Sequence, residues 1–306
     1  MFPTDFDLYK PYFVTGLALG GVYALSGVGI VVLYRATGVL NLAFGAIGAM
    51  GALISWTLVH HTSTPDWLAY LACIAFGGLV TFAYGVIFGP PLAGRDPLVK
   101  AMGTLGLTLI LLGLMAYLWP PFGRIQELPT SRHSYHIGFA GVDVTQTQIA
   151  ALAFGVFVTL GVEAFLRFTK LGTAMRALAN DREITATLGV PVRRVEAVAW
   201  LGSGLIGGVA GLLLSDLVSL DPNNLTVIVI SALAAALIAR LRSLVGTLLA
   251  GIAVGLCTAL MTPILFWPNQ SFAVSKYQYA APFVIAIVAL LVLARRRVVS
   301  VARTDA

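Results

Sequence analysis

Nine apolar runs separated by polar loops leave this chain one kind of place to fold. They cover roughly residues 12–33, 39–59, 67–88, 101–119, 146–166, 197–219, 225–239, 244–266 and 279–294. A helix needs roughly 20 apolar residues to cross a hydrocarbon core about 30 Å thick, and its own hydrogen bonds satisfy the backbone where water is absent. The expected fold is therefore all-α and integral to a membrane, with about eight to nine transmembrane helices, some short or broken. The seventh run is short enough to be a half-helix. Apolar residues make up 58% of the 306, charged residues 10%, and mean hydropathy is +0.91, which excludes a soluble domain. The whole of 1–306 reads as a single transmembrane domain.

The net charge of +6 would suggest nucleic acid in a soluble protein, but here the cations sit in loops and set orientation instead. One set of alternate loops holds Arg35, Arg95, Lys100, Arg167, Lys170, Arg176, Arg182, Arg193, Arg194, Arg240, Arg242, Arg295, Arg296, Arg297 and Arg303, fifteen of the nineteen. The other set holds Lys10, Arg124, Arg132 and Lys276. That split predicts an outer N-terminus and an inner C-terminus, and it requires the seventh and eighth runs to stay separate. The opening MFPTDFDLYK lacks a basic start and a small-residue cleavage site, so the first run is expected to remain as a span.

Residues 167–196, RFTKLGTAMRALANDREITATLGVPVRRVE, hold nine of the 32 charged residues and form the longest expected inner loop. Asp181 can cap a short helix over 182–188 that Gly189 ends, with Pro191 restarting the chain as the next span. Ala174, Ala177 and Leu178 on the first helix, and Ile184 and Leu188 on the second, are expected to form apolar knobs ringed by arginines. A merely solvated basic loop near anionic lipid would need neither caps nor an apolar face. On the opposite side, the loop 120–146 carries His133 and His136, but no third ligand at metal-binding spacing.

Glycines recur four apart at Gly16/Gly20, Gly85/Gly89, Gly204/Gly208, Gly207/Gly211 and Gly251/Gly255, a spacing that lets helix backbones meet in lipid. Asn41-Leu42-Ala43-Phe44-Gly45, followed by Gly48 and Gly51, places an amide and a glycine stripe where a broken helix would border a path. Glu163 and Arg167, four apart, read as a pair at a span end rather than a proton relay. No carboxylate falls near a midplane, which weighs against an ion-coupled carrier acting alone. None of Lys10, Lys100, Lys170 and Lys276 follows a glycine, so there is no phosphate loop and no cofactor is expected. Cys73 and Cys257 fall inside spans and read as buried hydrophobes.

LGTAMRALANDREITATLGV followed by GSGLIGGVAGLLL resembles the coupling loop and next helix of LivH-type permeases of bacterial branched-chain amino acid ABC importers. The resemblance extends to GLALGGVYALSGVGIVVLYRATGVLNLAFGAIGAMGA, to MGTLGLTLILLGL at 102–114 and to RSLVGTLLAGIAVGL, and so covers nearly the whole chain. It implies a type II-like importer permease in the bacterial inner membrane. The implied partners are a LivM-like second permease, two ATPase subunits that bind the ATP, an external solute-binding protein and surrounding lipid. Arg176, Ala177, Asn180, Asp181, Ala186, Leu188 and Gly189 would then lie against the ATPase, and Asn41, Phe44, Gly45, Gly48 and Thr104 along the translocation path. Two departures stand out. Such permeases commonly read Asn-Phe-Ala-His-Gly where this chain has Asn41-Leu42-Ala43-Phe44-Gly45, and a Gly-Gly pair where Ala239-Arg240 precede Ser243 and Gly246.

Overall fold

A computed structural model describes residues 6–62, 64–119, 128, 130–131, 134–137, 142–218, 220–265, 284–285 and 287–288. Most of the ninth expected span, the C-terminal arginines, Lys276, Arg124, Arg132 and His133 lie outside these. Within them the chain runs α1 (Phe6–Thr37), α2 (Phe44–His61), α3 (Asp66–Leu92), α4 (Pro97–Leu118), β1 (Ser134–Ile137), β2 (Val142–Thr145), α5 (Gln146–Phe168), α6 (Lys170–Asn180), α7 (Arg182–Thr187), α8 (Val192–Leu217), α9 (Pro222–Ile238) and α10 (Leu244–Leu265). Six of these helices, α1, α3, α4, α5, α8 and α10, are long and apolar enough to cross a membrane. The first eight expected spans coincide with α1–α5 and α8–α10.

Burial ranks the helices. In the most apolar stretch of α1, 89% of residues are buried, against 22% for α4 and α5 and 33% for α3. So α1 is the axis of the bundle, packed by α5, α8, α9 and α10, while α3, α4 and α5 turn Leu79, Ile87, Leu109, Ile110 and Phe157 outward. That apolar exterior matches hydrocarbon or another membrane helix, as the sequence requires.

Glycine makes the close crossings. A Cβ on Gly20 would stand 2.7 Å from Ile252 Cα, and one on Gly251 2.5 Å from Ala24 N, so α1 and α10 touch backbone to backbone. The two α8 pairs face different partners: Gly204 and Gly208 meet α3 at Gly77 and Ile74, while Gly207 and Gly211 face α2 at Phe44 and Gly48. Gly85 lies under the Trp200 ring, whereas Gly89 borders open space and takes no part in packing.

The second span begins as helix at Phe44, five residues later than the apolar run does. Gly38, at φ +69°, stops α1, and residues 38–43 lie outside any helix. At the far end, α9 and α10 are separate, as the charge count requires. The turn between them holds Arg240 and Leu241 in the left-handed region, both at φ 56°, with Leu241 N–H donating to Ala236 O at 2.8 Å. Such backbone costs a non-glycine residue about 1–3 kcal/mol and persists only where surroundings over-determine it.

Sequence periodicity did not anticipate the hairpin β1–β2 in the 120–146 loop. His136 pairs with Asp143 across it, Nδ1 to Oδ1 at 2.8 Å, and among the described residues no group of three metal-ligating side chains forms. Asp216, at the end of α8, accepts from Leu128 N at 3.0 Å, and the Thr130 and Thr147 hydroxyls lie 2.7 Å apart, tying the loop to the bundle.

Candidate functional site

The charged loop folds as two short helices joined through one residue. Thr169 Oγ1 accepts from Gly172 N at 2.9 Å and starts α6. Asp181 ends α6 and starts α7, its Oδ1 accepting from both Glu183 N and Ile184 N at 2.9 Å. The chain leaves α7 through Gly189, whose φ of +81° suits glycine, and Pro191 precedes α8. Arg182 then reaches Glu196 Oε1 with Nη2 at 2.9 Å and Nε at 3.0 Å, bracing α7 against the first turns of α8. The Asp181 cap, the exit at Gly189 and the restart at Pro191 stand where the sequence puts them, whereas the Thr169 cap and the start of α6 at Lys170 come from the fold.

The apolar faces divide differently from expectation. Leu178 is 6% exposed and, with Met175, joins the buried cluster of Leu166, Val195 and Ala199, while Ala174 packs against that cluster. The reason is the strong amphipathicity of α6: its apolar stripe has the ends of α1, α5 and α8 within reach, and burying it there removes it from the docking face. Of the expected knobs, Ile184, 59% exposed, and Leu188, 76% exposed, remain outward, together with Leu171 of α6 at 40%. Arg176, Asn180, Asp181, Ala186 and Gly189 are exposed around them and Ala177 is half-buried.

Replacing Asp181 with Ala removes both cap bonds, a loss of about 1 kcal/mol. Amide exchange at Glu183 and Ile184 is expected to quicken about fivefold, with Asp181→Asn close to wild type. Equal exchange in the Ala and Asn variants would show that the cap does not hold α7.

The expected path residues gather at the break between α1 and α2. Asn41, 2% exposed, accepts from Ala43 N through Oδ1 at 3.1 Å, and its Nδ2 has no protein partner. Thr104, fully buried on α4, accepts from Leu42 N at 3.1 Å, and its Oγ1 stands 2.9 Å from both Leu40 O and Ala101 O. The unwound segment is therefore held by two hydroxyls, that of Thr104 from another helix and that of Thr37, whose Oγ1 accepts from Val39 N at 3.1 Å. Phe44, in the position where similar permeases commonly have His, is 3% exposed and fills the gap left by Gly29 and Gly207. Gly45 lies on Thr226 O of α9 and Gly48 on Gly207 O of α8. Ser26, Phe44, Gly45, Gly48, Gly211 and Leu225 surround a cavity of only about 10 Å³, room for one water. These residues form a closed seam.

Glu163 and Arg167 make the expected pair on α5, Oε1 to Nη2 at 3.9 Å, with the Arg167 side chain 67% exposed. Glu163 is not among the residues that line the seam's cavity.

Comparison with known proteins agrees with the geometry. The family model described as the permease component of branched-chain amino acid transport systems matches residues 12–293. The chain is 26% identical to a probable branched-chain amino acid transport permease protein LivH of Methanocaldococcus jannaschii, over 84% of this chain and 82% of the relative. It is 26% identical to the high-affinity branched-chain amino acid transport system permease protein BraD of Pseudomonas aeruginosa, over 82% and 85%. A LivM permease of Salmonella typhimurium matches at 27%, over 63% of this chain and 49% of its own length.

Proposed function

The chain belongs to the family of branched-chain amino acid transport permease components, and from that premise we infer that it is one membrane half of a bacterial ABC importer, driven by separate ATPase subunits. The observation that carries this reading is the α6–α7 pair: a rigid, capped element that presents Ile184 and Leu188 to water beside Arg176 and Asn180. Ile184 and Leu188, exposed close together on a charged loop, suit a partner's pocket. The absence of a phosphate loop from the sequence makes an ATPase the fitting partner. Arg182–Glu196 and the caps make α7 a lever that moves with α8, and α8 carries Gly207 and Gly211 at the seam. Closure of the ATPase pair thus has a mechanical route to the place where a path would open.

The second half would be a LivM-like chain, the solute would arrive from an external binding protein, and the cargo class is a branched-chain or similar small amino acid. Asn41 and Thr104, at the break next to the seam, would offer polar groups to that cargo's path, and Phe44 makes the seam's wall apolar. The test is co-purification with an ATPase subunit, combined with uptake by cells carrying Ile184→Asp/Leu188→Asp. We expect wild type to retain the ATPase, and the double variant to lose ATPase and uptake together by about tenfold or more while still reaching the membrane. Undiminished uptake in the double variant, or in cells lacking every such ATPase, would overturn the assignment.

A further inference from the structure

Five cations that the sequence scatters over four loops meet in one cleft. Arg35 at the end of α1, Lys100 in the first turn of α4, Arg182 on α7, and Arg240 and Arg242 in the turn between α9 and α10 line a cavity of about 790 Å³. Its other walls include Tyr34, Thr37 and Asn180. Among the described residues, no carboxylate lines it. Among the described residues, Arg182 is the one cation of the five with an ion pair, to Glu196, leaving Arg35, Lys100, Arg240 and Arg242 without an acidic partner. Four unneutralised cations around one concavity repel one another unless an anion occupies it.

The backbone turn adds a second observation. Arg240 and Leu241 hold left-handed backbone at φ 56°, a conformation glycine would adopt without strain. The turn places Arg240 against the cleft.

We propose that this cleft binds a phosphate-bearing anion, the headgroup of an anionic phospholipid. Position selects that source. The cleft lies at the ends of α1 and α4, both long enough to span, and so at headgroup depth. On other faces of the same opening turns of α4, Leu98, Val99 and Met102 stand 67%, 45% and 56% exposed, so the helix that brings Lys100 to the cleft is apolar on its outer side. Lys100 Nζ sits 4.0 Å from where a Gly38 Cβ would lie, so it covers the break between α1 and α2. A bound headgroup would link that break, the α9–α10 turn and the α7 lever. Assigning the cleft to the inner leaflet rests on the orientation in the proposed function, whereas headgroup binding itself does not.

The full-length chain, purified in detergent and mixed with phosphatidylglycerol or phosphatidylcholine, tests this by native mass spectrometry. Wild type is expected to retain phosphatidylglycerol preferentially, and Arg242→Gln to weaken that preference about fivefold. Arg240→Gly should weaken it similarly while raising the unfolding temperature, because it removes the strain along with the charge. That split separates binding from folding. Unchanged preference in both variants overturns the proposal. Retention of inorganic pyrophosphate with no lipid preference overturns the lipid source and assigns the cleft to a soluble phosphate. Loss of bound phosphatidylglycerol when the ATPase subunit is added assigns the cleft to that protein instead. Failure of uptake in the Ile184 and Leu188 variants bears on none of these readouts.

Discussion

Gly251→Leu is expected to prevent the chain from accumulating in the membrane. The added Cβ would meet Ala24 N at 2.5 Å and Ala24 Cα at 2.6 Å, both backbone atoms of the central helix. Backbone cannot rotate away as a side chain can. Relief therefore requires α10 to withdraw from α1 along its length, forfeiting contacts that include Gly16 against Leu256 and Gly20 against Ile252. Overpacking of a side-chain core costs about 1–3 kcal/mol, and a clash against two backbone atoms at the bundle axis falls at or beyond the upper end. The control is Gly106→Leu on α4, where an added Cβ meets nothing within 4 Å. That change should be neutral or gain up to about 1 kcal/mol of helix propensity. Membrane yield and detergent thermal unfolding of the pair read the difference. Equal behaviour would show that the α1–α10 crossing is not as close as described.

Thr104→Val should be the next most damaging change. It keeps the shape and removes a hydroxyl that alone satisfies the unwound strand from across the bundle: Leu42 N–H loses its acceptor, and Leu40 and Ala101 carbonyls lose a shared donor. Each buried group left unpaired costs about 1–3 kcal/mol, and in a bundle surrounded by lipid no water replaces it. Thr104→Ser retains the hydroxyl and should behave close to wild type. We expect the Val variant to unfold several degrees lower, with Leu42 amide exchange quickened at least tenfold. If Val and Ser variants match, the 38–43 break is held by something other than this hydroxyl.

What could be read from the sequence was local. Apolar run length placed eight helices, and residues within about ten positions of one another placed the caps at Asp181, Gly189 and Pro191. Glycine spacing identified crossings, though Gly89 shows that spacing alone does not say which glycine meets a partner. The rest depends on contacts between distant positions. Thr104 binds strand residues 62 and 64 positions away, and Asp216 caps a loop 88 positions earlier. Nothing near Thr104 in sequence signals that role. The inward turn of Leu178 follows from which faces of α1, α5 and α8 lie beneath α6, and so from the assembled bundle. Phe44 shows the same limit. Its substitution for a polar residue was visible, but its packing against Gly29 required the fold.

The central position of α1 also sets an order of events during synthesis. Its Gly20 meets Ile252 in the finished bundle, so α1 is made well before α10 and is separated from it by more than 200 residues. At about 5–20 residues per second, translation leaves that glycine-lined groove without α10 for roughly ten seconds or more. Through that interval the α10 side of α1 is open to lipid, to the insertion machinery or to the helices made before α10. A chain stalled before α10 would present its axis, not its exterior, to whatever membrane protein passes.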